Sequence, residues 1–172
     1  GNAVSNTEKL DWFNHQHLLR LDDAELITRV MPLFEAAGFI TNDIGWLAKV
    51  LAQLRPRCKK LPEFVDQGRP FFTAPAEYGP EAVNKHLSTP GTRDHLQALR
   101  EAFAATQEWS EVPLEKVLRD LAEARTVKAG ALIHGTRIAM TGRMVSPGLF
   151  EMLVLPGREQ VLGRLDRLIA TL

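Results

Sequence analysis

The sequence has little of what usually announces a catalyst. It holds one cysteine, Cys58, in 172 residues, so an intrachain disulfide is excluded and a reducing, cytoplasmic setting is expected. No apolar run approaches the ~20 residues needed to span a bilayer, and no membrane partner is expected. The opening Gly1-Asn2-Ala3-Val4-Ser5-Asn6-Thr7 lacks the basic and apolar regions of a signal peptide. There is no Gly-rich phosphate loop, nucleophile elbow, HExxH helix or paired-cysteine zinc pattern. His15 and His17 lie two apart, which turns them to different faces of a helix. With no cysteine cluster beside them, no metal site is expected. These absences favour a binding module over an enzyme.

Net charge is absent too, with 21 basic residues against 21 acidic ones. The distribution is less even than the sum. From Ile44 to Pro62 the basic residues are Lys49, Arg55, Arg57, Lys59 and Lys60, with no acid among them. From Arg125 to Phe150 they are Arg125, Lys128, Arg137 and Arg143, again without an acid. Two basic islands in a neutral chain fit an anionic partner held at particular places. Two solvated faces would give the same pattern.

What is present is helix after helix. Thr7 is placed to cap a first helix running past Trp12 and Leu18. Asp22, with Glu25 three residues on, resembles a capping box. It opens a helix with Leu26, Val30, Leu33, Phe34 and Ala37 at the spacing of one face. Pro32 should kink that helix or shift its start, and Gly38 stands where a left-handed cap belongs. Thr41 and Asn42 signal the next start, and Pro56 its end. From Leu61 to Pro80 the pattern predicts a short helix around Pro62–Asp66 and then a connecting loop, because Gly68, Pro70, Pro75, Gly79 and Pro80 crowd it.

Further helices are predicted around Glu81–Leu87, from Thr92, after Ser110, and over Lys128–Met140. Another begins at Ser146-Pro147, read as an N-cap and a first-turn proline. The last should bury Val161, Leu165, Leu168, Ile169 and Leu172. No stretch alternates like a strand. The class is all-α, with two packed helical subdomains over 1–75 and 76–172.

Three segments stand out. In Lys9-Leu10-Asp11-Trp12-Phe13-Asn14, periodicity makes Trp12 and Phe13 core residues. In Leu54-Arg55-Pro56-Arg57 a helix ends on two arginines, each able to fork onto a base edge or a phosphate. The same arginines also complement a helix dipole, worth roughly 0.3–1 kcal/mol. The third runs from Arg137 to Phe150, a donor-rich loop entering a helix N-terminus that would suit an anion. An apolar residue there could meet an unstacked base, or Leu149 and Phe150 could simply be core.

Together these segments resemble the C-terminal portion of bacterial glutamyl-tRNA synthetases. Asn6-Thr7-Glu8-Lys9-Leu10-Asp11-Trp12-Phe13-Asn14 looks like the segment that follows the family's catalytic and stem-contact regions. Leu54-Arg55-Pro56-Arg57 looks like its first anticodon subdomain. Ala139-Met140-Thr141-Gly142-Arg143-Met144-Val145-Ser146-Pro147-Gly148-Leu149-Phe150 matches its most distinctive C-terminal motif. Leu155-Pro156-Gly157-Arg158-Glu159-Gln160-Val161-Leu162 is similar to its common Leu-Leu-Gly-Arg-Glu-Arg-Val-Leu run, with Pro156 as the departure. The catalytic HIGH-like and KMSKS-like motifs of the family do not occur in this sequence.

The resemblance implies a module that grips the anticodon loop of glutamate tRNA and splays its bases, without a catalytic site. By motif, Arg57 would approach the third anticodon base. Arg137, Ser146, Pro147 and Leu149 would surround the first two, with Thr136 and His134 nearby. It implies no cofactor in this chain, ATP and magnesium belonging to a covalently linked catalytic domain, and a monomer. From another class, an all-helical protein-interaction scaffold would show an exposed apolar groove in place of the basic islands.

Overall fold

In a computed structural model, residues 3–172 are described, with side chains from residue 6 onward. Gly1 and Asn2, part of the stretch read above as no signal peptide, lie outside the described residues. Among the described residues the chain forms ten α-helices and a 3-10 turn, with no strand, as the all-α reading requires. None of these helices is long and apolar enough to cross a membrane. By contacts the chain divides into two compact units, Gly1–Phe72 and Thr73–Leu172.

The first unit holds α1 (Ala3–Arg20), α2 (Asp23–Ala36), α3 (Ile44–Leu54), the 3-10 turn Arg55–Arg57 and α4 (Glu63–Phe72). Asp22 caps α2, its Oδ1 accepting the Glu25 N–H at 2.8 Å, an arrangement worth about 1 kcal/mol. Leu26, Val30 and Phe34 are buried along one face of α2. At its end Phe39 donates its N–H to the Phe34 carbonyl at 2.8 Å, which turns the Phe39 ring into the core. Pro56 closes α3 as expected, after Leu47, Val50, Leu51 and Leu54 have been buried.

Several expectations are corrected here. Thr7 lies inside α1, which already runs from Ala3, and so is not at its N-cap position. The cap of α3 is Asp43, whose Oδ1 accepts the Trp46 N–H at 2.9 Å; the Thr41 hydroxyl only accepts the Asp43 N–H. Pro32 sits within α2 and does not shift its start. Trp12 and Phe13 are 57% and 54% exposed and meet edge to face, so they are surface, not core.

The expected loop after Asp66 is instead helix through Phe72. A Cβ on Gly68 would lie 3.2 Å from Leu54 Cδ1 and 3.3 Å from Phe34 Cζ, so glycine lets α4 approach α2 and α3 without pushing those side chains aside. Phe64 and Phe71 are buried, and the Phe72 ring stacks on Phe39 with centroids 4.8 Å apart. Burying such side chains stabilises by about 1.5–3 kcal/mol each. That offsets helix penalties of about 1 kcal/mol for glycine and about 3 kcal/mol for proline.

The second unit contains α5 (Pro80–His86), α6 (Thr92–Ala105), α7 (Glu111–Ala124), α8 (Ala129–Thr141), α9 (Leu149–Val154) and α10 (Arg158–Ile169). Helix α8 is central, packed by α5, α6, α7, α9 and α10. Its Leu132, Ile138, Ala139 and Met140 meet a core that includes Leu99, Phe103, Leu118, Val161 and Leu165. Ser110 stands at the N-cap position of α7 but makes no side-chain cap bond. The helix expected at Ser146 starts at Leu149, with Gly148 as its cap residue. Leu172 lies beyond α10 and is half-buried.

Arginines brace this unit. Arg158 donates to the Ala104 carbonyl at 2.8 Å, and its guanidinium lies 5.1 Å over the Trp109 ring. Trp109 in turn donates Nε1–H to the Leu153 carbonyl at 2.9 Å. Arg100 grips Asp166 with two hydrogen bonds, 2.9 and 3.2 Å. Arg164, only 3% exposed, donates to the Met140 carbonyl at 3.0 Å and ties α10 to the end of α8. Burial, helped by Arg167, pulls it down to about 10, so it stays charged at neutral pH.

Candidate nucleic-acid interface

In the first unit the two arginines of the 3-10 turn have opposite roles. Arg55 is turned inward. Its terminal nitrogens donate to the Leu18 and Leu21 carbonyls, at 2.8 and 2.6 Å, and to Asp23 Oδ1 at 3.1 Å. It therefore fastens the junction of α1 and α2. Proline at the middle of the turn fixes the backbone, and Arg57 after it is exposed. Among the described residues Arg57 has no side-chain hydrogen bond or ion pair. Its donors are open to a ligand, and the dipole reading of these arginines leaves them unused.

Cys58 follows at once and is fully buried. Burial, with Glu63 nearby, pushes its thiol up to about 12, so it packs as a small apolar side chain. His15 donates Nδ1–H to the Cys58 carbonyl at 2.8 Å, fixing the turn against α1.

In the second unit three of the expected residues converge. Arg137, on α8, donates Nε–H to Ser146 Oγ at 2.9 Å. Its Nη1 is 3.3 Å from His134 Nδ1. Arginine can only donate, so Nδ1 accepts and the imidazole is neutral. The Ser146 hydroxyl in turn donates a hydrogen bond to the Pro147 carbonyl at 2.8 Å. These bonds fold the 142–148 loop back over α8.

His86, at the end of α5, stacks on His134 with centroids 4.1 Å apart and rings 24° from parallel. Nothing in the sequence joins two histidines 48 positions apart, and sequence reasoning missed this one. Burial, then His86, Arg137 and Lys85, lowers the His134 pKa. The folded value lies below the unfolded one, so protonation opposes the fold, and the neutral form is lost only as pH falls through the lowered value. In an NMR titration the His134 ring protons should show a midpoint below the ordinary value near 6.5. A midpoint at or above 6.5 would contradict the His86–His134–Arg137 arrangement.

The remaining expected residues are structural in their placement. Thr136 is fully buried and its hydroxyl donates to the Leu132 carbonyl at 2.8 Å. Pro147 is buried, and Leu149 is 4% exposed while Phe150 is half-buried. Helix α9 is also no anion cradle. The Glu151 carboxylate comes within 2.9 Å of where a Cβ on Gly148 would stand, so that terminus already faces a negative charge. Arg125 is engaged as well, donating Nε–H to His95 Nδ1 at 2.8 Å.

The helical arrangement is that of solved glutamate–tRNA ligase structures. A chain from Elizabethkingia meningosepticum matches with a TM-score of 0.89 at 22% identity, over 96% of this chain and 32% of that one. The synthetase from Elizabethkingia anophelis matches with a TM-score of 0.81 at 21% identity, over 95% and 31%.

Residues 25–169 match the family model of the anticodon binding domain, and the chain belongs to that family. Curated relatives include a glutamate–tRNA ligase of Moorella thermoacetica, 38% identical over 171 residues, covering 96% of this chain and 35% of that protein. Another, from Anaeromyxobacter dehalogenans, is 40% identical over 167 residues, covering 97% and 35%. The chain thus spans about a third of the length of these relatives.

Proposed function

We propose that the chain is the tRNA-reading part of a glutamate–tRNA ligase, holding the anticodon loop of glutamate tRNA. Family membership over residues 25–169 carries this reading. The open donors of Arg57 in one unit, and the Arg137–His134–Ser146 group in the other, supply the chemistry that splayed bases need. Arg57 reads the third anticodon base. Arg137 and Ser146 face the first two, while Thr136, Pro147 and Leu149 shape the loop that presents them. The units correspond to two anticodon-binding subdomains, the first including the end of a stem-contact region.

Glutamate activation, with its ATP and magnesium, belongs to a catalytic domain covalently linked to this chain in a monomeric, cytoplasmic enzyme. The exposed Leu10, Trp12 and Phe13 of α1 suit packing against such a neighbour. The test is fluorescence anisotropy with a glutamate anticodon stem-loop. Binding should weaken with salt, with a slope of roughly −0.7 per neutralised single-strand phosphate. No binding at low salt, or binding indifferent to salt, would overturn the reading.

A further inference from the structure

Helices α1 and α2 and the segment after the 3-10 turn enclose a cleft of about 310 Å³ in the first unit. Asn14 and His17 come from α1, Arg29 from α2, and Lys59 and Lys60 from the segment, over an apolar floor that includes Leu18. No carboxylate lines it among the described residues, although the chain as a whole is balanced at 21 charges of each sign.

Two acids lie near its rim and both are engaged. Asp11 holds Lys60 at 3.3 Å, a charge contact out of hydrogen-bond alignment. Glu63 accepts the Lys59 backbone N–H at 2.8 Å. Arg29 and Lys59 are exposed and form no ion pair among the described residues. The walls are fixed to one another, because Arg55 ties the turn to the α1–α2 junction and His15 ties Cys58 to α1. A concavity that gathers Arg29, Lys59 and Lys60, of which only Lys60 meets a carboxylate, suits an anion with several acceptor oxygens.

We propose that this cleft binds a phosphate of the RNA backbone beside the base that Arg57 reads. Arg57 and Lys59 are two residues apart, so their Cα atoms are separated by at most ~7 Å. A single strand can therefore meet both residues within a short stretch of its length. Arg29 and Lys59 carry the charge, Lys60 adds to it while shared with Asp11, and Asn14 and His17 offer hydrogen-bond donors. The proposal rests on the anticodon reading above and adds a contact that positions the strand without reading its sequence.

The experiment compares the unaltered chain with the double variant Arg29→Gln, Lys59→Gln on one glutamate anticodon stem-loop across a salt series. The variant should bind about tenfold or more weakly at low salt, with the salt slope shallower by roughly 0.7 for the one phosphate no longer neutralised. Its preference between C and G at the third anticodon base should not change. A scan of single methylphosphonates through the loop should find a position that weakens the unaltered chain and leaves the variant unaffected. If the variant keeps the original slope, or every methylphosphonate affects both proteins equally, the cleft is not a phosphate site. If the unaltered chain does not bind the stem-loop at all, the anticodon reading falls and takes this site with it.

Discussion

Replacing Gly142 with alanine should destabilise the second unit by about 3–5 kcal/mol. Gly142 ends α8 at φ +71, where an L side chain costs roughly 1–2 kcal/mol. The steric problem is worse. A Cβ there would lie 2.4 Å from the Glu77 carbonyl oxygen and 3.2 Å from Pro75 Cβ. The first obstacle is backbone, which no rotamer change moves aside. Relief means displacing the 75–79 segment and losing the bond from the Gly79 N–H to the Gly142 carbonyl, 2.9 Å long. An unsatisfied buried group adds about 1–3 kcal/mol.

Domains of this size are stable by about 5–15 kcal/mol, so the loss is a large share. At roughly 4–8 °C per kcal/mol it should appear as a much lower melting temperature. Gly130→Ala is the control. Gly130 is in α8 with nothing within 4 Å of an added Cβ, and that change should be neutral or slightly stabilising. A Gly142→Ala protein that melts within ~1 kcal/mol of the original would contradict the close approach. The same glycine launches the loop that brings Ser146 back to Arg137, so fold and candidate site fail together.

Much of the helical order was legible because its signals are local. The Asp22 cap, the break at Gly38 and the end of α3 at Pro56 depend on residues within a turn of each other. Helix α4 was misread because what holds it is remote: Phe34 and Leu54 receive Gly68, and Phe39 receives Phe72. Trp12 and Phe13 were misplaced for the opposite reason. Apolar spacing shows that a face is apolar and says nothing of what covers it.

The candidate site divides the same way. Composition located both basic islands. It could not sort their members, since Arg55 and Arg125 spend their donors on the protein while Arg57 does not. Arg29 was not singled out, and His17 was weighed only as a metal ligand, because both join Lys59 only through packing of α1 and α2. His86 escaped because its relation to His134 is purely spatial. In the loop after α8, chemistry suggested that Ser146 began a helix. The Arg137 side chain claims that hydroxyl instead, and the helix starts three residues later, at Leu149.

The difference between Arg55 and Arg57 gives the sharpest test of base reading. Arg57→Gln should reduce the preference for C over G at the third anticodon base by roughly tenfold or more, within the ~1–3 kcal/mol of a good side chain–base pair. A guanidinium only donates. The Watson–Crick edge of C offers it acceptors at O2 and N3, whereas G opposes it with donors at N1 and N2. Rejection therefore comes from donors facing donors, an unfavourable contact built against the wrong base. Glutamine carries both a donor and an acceptor, and by turning its amide it accommodates either base.

Because Arg57 is exposed and braces nothing, this variant should melt like the original chain, within ~0.5 kcal/mol. Arg55→Gln should do the reverse. It strips donors from the Leu18 and Leu21 carbonyls and a partner from Asp23, so stability should fall by about 1–3 kcal/mol. The C-to-G ratio should stay as it was. Binding ratios and melting curves on both variants separate readout from architecture. A ratio unchanged in Arg57→Gln would remove Arg57 as the discriminating residue. A ratio that collapses in Arg55→Gln at temperatures where the fold persists would show that the turn itself, not the exposed guanidinium, carries the selection.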